Sequence, residues 1–91
     1  MMYELRYIDG VESDLKRLYK SESSAYQKVL KLFAELQEHP RTGTGHPEIL
    51  KGGPDERWSR RITRKHRLVY EIHDREVVVL VLAAYGHYED K

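Results

Sequence analysis

The sequence predicts an α+β domain, with a small antiparallel sheet and two N-terminal helices packed on one of its faces. Three observations predict this. The chain opens on an apolar–charged alternation, continues through two stretches of helical spacing, and closes on three strand-like runs in succession. Its 91 residues suit one hydrophobic core, so a single domain over 1–91 is expected.

Tyr3-Glu4-Leu5-Arg6-Tyr7-Ile8 has the period of a half-buried strand, and Asp9-Gly10 breaks it. Val11, Leu15, Leu18 and Tyr19 then recur at helical spacing. The polar break Ser21–Ser24 is expected to supply helix caps. In the second helix Ala25, Tyr26, Val29, Leu30, Phe33 and Leu36 form the predicted apolar stripe, and Pro40 ends it. Residues 39–56 hold all three prolines and most of the glycines, which predicts a loop with short strand pieces. Trp58–Ile62, Arg67–His73 and Val77–Tyr85 follow as strands, with His73-Asp74-Arg75-Glu76 as the turn between the last two. Alternation places Leu68, Tyr70 and Ile72 on one face and Arg67, Val69, Glu71 and His73 on the other. Val77–Leu82 is apolar throughout and is expected to be a central strand covered on both sides. Trp58 and Tyr70 are assigned to the core.

The absence of cysteine excludes disulfides and thiolate zinc sites, which fits a reducing compartment. The longest apolar run, Val77–Tyr85, falls well short of the roughly 20 residues of a membrane span. The N-terminus lacks the basic-then-apolar order of a signal peptide, so a soluble, cytoplasmic protein is expected. The net charge of +1 conceals a strong segregation. Residues 51–67 carry +5, against −1 over residues 1–40 and −3 over residues 68–91. Such a concentration suits a phosphate-facing surface, although a charge run by itself is more often a solvated strand face.

Four residues in three segments fit one chemistry. RNA carries its own nucleophile, the 2′-hydroxyl, so cutting it needs a base, a cation for the pentacoordinate phosphorane and an acid for the departing 5′-oxygen. Glu48 suits the base, provided a dry site raises its carboxyl above the usual value of roughly 4.3. Arg67 offers a bidentate fork for the non-bridging oxygens. His87 suits the acid, and Tyr88 either stacks on a base or shares that role. No metal or cofactor enters this scheme. Taken singly, each residue has a plainer reading. Glu48 is then a solvated loop carboxylate, Arg67 a partner for Glu71 or Asp74, His87 a surface histidine and Tyr88 an edge-strand packing residue. Other chemistries find less support. The five histidines lack metal-ligand spacing, Gly43-Thr44-Gly45 is not a phosphate loop, and no Gly-x-Ser-x-Gly occurs.

From about Arg41 to Tyr88 the chain resembles the YoeB/Txe toxins of bacterial toxin–antitoxin systems, within the RelE/ParE superfamily. The resemblance rests on Gly43-Thr44-Gly45-His46-Pro47-Glu48-Ile49-Leu50-Lys51, Trp58-Ser59-Arg60-Arg61-Ile62, His66-Arg67-Leu68-Val69-Tyr70 and His87-Tyr88, in that order. It implies a RelE/YoeB-like microbial RNase fold and a ribosome-dependent, metal-independent endoribonuclease that cleaves mRNA in the decoding site. It also implies a cognate antitoxin, with a homodimer or a toxin–antitoxin hetero-oligomer as the assembly. Glu48 matches the family's general base, Arg67 its phosphate-binding arginine, and His87-Tyr88 its terminal pair. Lys51, Arg60, Arg61 and His66 match positions lining the RNA groove, and Arg64 and Lys65 extend that basic run. Two departures stand out: Tyr85-Gly86 precedes the terminal pair where an arginine and an aromatic are usual, and Glu89-Asp90-Lys91 follows it. A gyrase poison and a non-catalytic translation-blocking module of the same fold are the alternative readings.

Overall fold

A computed structural model describes residues 2–86; His87 and Tyr88 lie outside the described residues. The chain runs through β1 (Glu4–Tyr7), α1 (Val11–Ser21), α2 (Ser23–Glu38), β2 (Glu48–Lys51), β3 (Glu56–Arg61), β4 (Arg67–His73) and β5 (Val78–Ala83). The five strands form one sheet in the order β1-β5-β4-β3-β2. The pairs β2–β3, β3–β4 and β4–β5 are antiparallel, as a meander requires. The β1–β5 pair is parallel, because the two helices carry the chain across one face of the sheet before it returns. The sheet is therefore mostly, and not wholly, antiparallel.

Gly10 sits at φ 98 and turns the chain from β1 into α1. The expected serine caps do not form. The helices are separated by Glu22 alone, and Ser21 Oγ donates back to the Arg17 carbonyl at 2.7 Å. In α2 the buried residues are Ala25, Val29, Leu32, Phe33 and Leu36, whereas Leu30 is exposed. The true stripe is thus rotated toward Leu32 from the one the sequence suggested. These residues join Val11 and Leu18 of α1 with Leu68, Tyr70, Ile72, Val79 and Val81 of the sheet to make the core.

Register assigns the two faces, since residues directly opposite on paired strands point the same way. Trp58 lies opposite Tyr70, and Tyr70 opposite Val81, so all three face the helices. Glu48 opposite Ser59, Ser59 opposite Val69, and Arg61 opposite Arg67 define the other face. On that face Leu80 and Leu82 of β5 are only half-buried, while Val79 and Val81 beneath the helices are fully buried. The expectation that β5 is covered on both sides is corrected accordingly: it is interior to the sheet, but only one face carries helices. Among the described residues, no helix is long and apolar enough to cross a membrane.

Candidate functional site

The helix-free face of β2, β3 and β4 brings together the carboxylate and the arginine expected from the sequence. Glu48 Oε1 and Arg67 Nη1 are 3.9 Å apart, with side chains 67% and 27% exposed. They line a cavity of about 640 Å³ together with Gly43, Gly45, His46, Pro47 and Arg61. A second cavity shares Gly45, His46, Arg61 and Arg67 and extends to Lys28, Thr63 and Arg64. Arg67 does not pair with Glu71 or Asp74, because those carboxylates are engaged elsewhere. Glu71 accepts from Arg57 at 2.7 Å, and Asp74 from Arg41 at 2.7 Å and from Tyr3 Oη at 2.6 Å. Burial pushes the Glu71 carboxyl up, but hydrogen bonds from Arg57 and His73 outweigh it, leaving the group below its ordinary range. The Arg41 and Tyr3 bonds hold Asp74 low as well.

A buried clamp fixes the loop that leads into Glu48. Arg60 is 0% exposed. Its Nε donates to Tyr70 Oη at 3.0 Å, Nη1 to Glu35 and to the Thr44 carbonyl, and Nη2 to the His39 and Thr42 carbonyls. All five guanidinium N–H groups are thereby used. Glu35 also accepts from the backbone N–H and the hydroxyl of Thr44, at 2.8 and 2.6 Å, and Tyr70 Oη donates to the Pro40 carbonyl. Burial alone pushes the Glu35 carboxyl up; the Thr44 hydrogen bonds and the Arg60 charge outweigh it and hold the group below its ordinary range. Further along, the Gly45 carbonyl accepts the Arg61 N–H at 2.7 Å. At that approach a Cβ on Gly45, which has φ +87, would meet the Arg61 carbonyl oxygen at 2.8 Å.

The remaining expected RNA-facing residues divide. Arg61, Arg64, Lys65 and Lys51 are exposed, with Arg61 and Arg64 lining the groove. Arg60 and His66 are corrections. Arg60 belongs to the core face, because odd and even positions of β3 point opposite ways, and its donors are spent on the loop. His66 is 3% exposed, with one ring nitrogen 2.7 Å from Glu22 and the other accepting the Gly86 N–H at 2.9 Å. His46 and Lys28 are groove residues the sequence reading did not single out. Lys28 lies off the apolar stripe of α2, which was the available signal, but nothing local shows that this helix borders the groove. Ser59 Oγ, beneath Glu48 in register, is buried with no hydrogen-bond partner. Among the described residues there is no group of three or more His, Asp or Glu side chains arranged to hold a metal ion.

This geometry accompanies a clear set of relatives. Residues 9–88 match the family described as the YoeB-like toxin of bacterial type II toxin–antitoxin systems. The chain is 38% identical over 82 residues to Toxin YoeB of Escherichia coli, covering 90% of this chain and 86% of that protein. It is 44% identical over 54 residues to Toxin RelK of Mycobacterium tuberculosis, a match covering 59% of this chain and 64% of that protein's length. Among solved structures, the YoeB dimer of Staphylococcus aureus superposes with TM-score 0.80 at 25% identity, over 97% of this chain and 100% of that one. The heterotetrameric YoeB–YefM toxin–antitoxin complex of the same organism gives TM-score 0.76 at 25% identity, with the same coverage.

Proposed function

The chain belongs to the YoeB-like toxins of bacterial type II toxin–antitoxin systems, and on that premise we propose that it is a ribosome-dependent endoribonuclease cleaving mRNA in the decoding site. The observation that carries this reading is the Glu48–Arg67 pair, 3.9 Å apart at a groove that Arg61 also lines. An arriving phosphate competes with the carboxylate for the guanidinium. Once Arg67 turns to the non-bridging oxygens, Glu48 is released to take the proton of the attacking 2′-hydroxyl. Glu48 is largely solvated in the free protein, so the RNA laid in the groove must supply the water exclusion that makes it an effective base. The 2′-oxygen bonds to phosphorus, the bond to the 5′-oxygen breaks, and His87, with Tyr88, is assigned the proton for that leaving group. The products are a 2′,3′-cyclic phosphate and a 5′-hydroxyl. No metal or cofactor is required, because the RNA brings its own nucleophile.

Exposed Arg61, Arg64, Lys65 and Lys51 are assigned to the RNA backbone, whose phosphates attract an arginine- and lysine-lined surface. The same surface suits an acidic segment of a cognate antitoxin, which would cover the groove and block RNA. Ribosomes and mRNA place the activity in the cytoplasm.

Primer extension on mRNA from a programmed ribosome tests the reading, with wild type beside Arg67→Ala and Glu48→Gln. The expected result is a cut within the decoding-site codon that either substitution lowers by at least about 100-fold. Ribosome binding and translation arrest with intact mRNA would overturn the ribonuclease reading in favour of a non-catalytic module.

A further inference from the structure

Residues 84–86 follow the last ladder residue, Ala83, and are held by two side chains and one backbone N–H. Asp14 of α1 accepts the Ala84 N–H at 3.0 Å. His66 Nδ1 accepts the Gly86 N–H at 2.9 Å, and the Gly86 carbonyl accepts the N–H of Arg67 at 2.9 Å. Gly86 is therefore tied on both sides to the consecutive residues His66 and Arg67. Because Gly86 N–H is a donor, Nδ1 must carry the lone pair. The ring proton then sits on Nε2, which donates to Glu22 Oε2 at 2.7 Å. That bond also holds the Glu22 carboxyl below its ordinary range. The Tyr85 ring lies 4.4 Å from the imidazole between centroids, and the Arg17 guanidinium covers the Tyr85 ring at 3.9 Å. Both imidazole nitrogens are thus spoken for in a buried ring, and what the ring fixes is the location of residue 86.

We propose that His66 is a positioning residue for the cleavage reaction: by holding the Gly86 N–H it fixes the backbone that braces Arg67 and immediately precedes the terminal pair in the sequence. The inference rests on the ribonuclease reading above. His87 follows Gly86 directly in the sequence, and Gly86, at φ 75, is a residue whose backbone is otherwise permissive. The same glycine braces the backbone of Arg67, so one imidazole fixes Gly86 against the arginine assigned to the phosphate. Displacing a reacting group by about 1 Å can cost on the order of 100-fold in rate.

Two substitutions separate this role from packing. Asn offers an acceptor where Nδ1 sits, so His66→Asn keeps the Gly86 bond and gives up Glu22. Gln offers a donor where Nε2 sits, so His66→Gln keeps Glu22 and gives up Gly86. Hydrogen exchange of the Gly86 amide and single-turnover cleavage on programmed ribosomes are measured for both variants and wild type. His66→Gln is expected to lose Gly86 protection and slow cleavage by about 10- to 100-fold, with the half-saturating ribosome concentration unchanged. His66→Asn is expected to keep both the protection and the rate close to wild type. Equal losses in the two variants would overturn the proposal, because the effect would then track the missing imidazole ring. Full cleavage by His66→Gln with an unprotected Gly86 would also overturn it. A wild-type protein that does not cut would refute the ribonuclease reading instead. Gly86 exchange alone would then judge the hold, and equal protection in all three proteins would refute it.

Discussion

Arg60 and Arg61 are neighbours in sequence and opposites in role. The first donates all five N–H groups inside the protein, and the second lines the groove. Removing the Arg60 side chain takes the guanidinium bonds from three loop carbonyls and from the Glu35 carboxylate, which keeps only its Thr44 donors. Arg60→Ala should therefore cost about 3–5 kcal/mol, measured by urea unfolding. Arg60→Lys should recover only part of this, since an ammonium cannot serve five acceptors spread over a planar fork. Arg61→Ala should change stability by less than about 0.5 kcal/mol, as an exposed substitution. Its effect should appear as weaker ribosome or RNA binding with a shallower salt dependence. A large stability loss in Arg61→Ala would contradict the assignment of the two faces.

At the scale of elements, the loop 39–47 matters because it must deliver Glu48 to β2 at the right register beside Ser59. Gly45 makes this possible by lying against β3 with φ +87 and no room for a Cβ. Gly45→Ala should destabilise by more than about 1 kcal/mol, through both the left-handed backbone and the contact with the Arg61 carbonyl. It should also lower cleavage more than exposed loop substitutions do. At the other end of the sheet, Val77 closes the β4–β5 turn at φ 55, a conformation that a β-branched residue enters at a cost. Val77→Asn should stabilise by roughly 0.5–1 kcal/mol, since asparagine tolerates that region. A thermal melt that falls instead of rising would show that Val77 packing outweighs its backbone strain.

For the whole molecule, acid is the condition that should unfasten it. Glu35, Glu71 and Asp74 all titrate below their ordinary values in the folded protein, each held there by arginine bonds and further donors. The unfolded chain therefore takes up protons first as pH falls. The stability these groups contribute is complete above the ordinary carboxylate range, and it is lost as pH drops through the lower folded values. The thermal midpoint should decline steadily below about pH 4.5. Glu35→Gln should flatten part of that decline while lowering stability at neutral pH. An acid limb unchanged by this substitution would argue that the Arg60 clamp does not depend on the Glu35 charge.

The sequence by itself determined the layout of helices and strands and the face of β4 that carries Arg67. Period-two alternation is a local property of a strand, so Arg67 could be placed on the face opposite Leu68 from spacing alone, and β4 runs over Arg67–His73 as expected. The Gly- and Pro-rich stretch, the proline at the end of α2 and the basic segment were equally legible, because each acts through nearest neighbours in the chain. Only the tertiary structure decided which of the basic residues face solvent. Arg60 reads as one more cation in a basic run until Glu35, 25 residues away, and the loop carbonyls surround it. His66 reads as a groove residue until Glu22 and Gly86 close on its two nitrogens from either side of the fold. Burial and hydrogen-bond saturation are set by segments distant in sequence, and the pairing of Glu48 with Arg67 exists only because the sheet lays β2 and β4 on either side of β3.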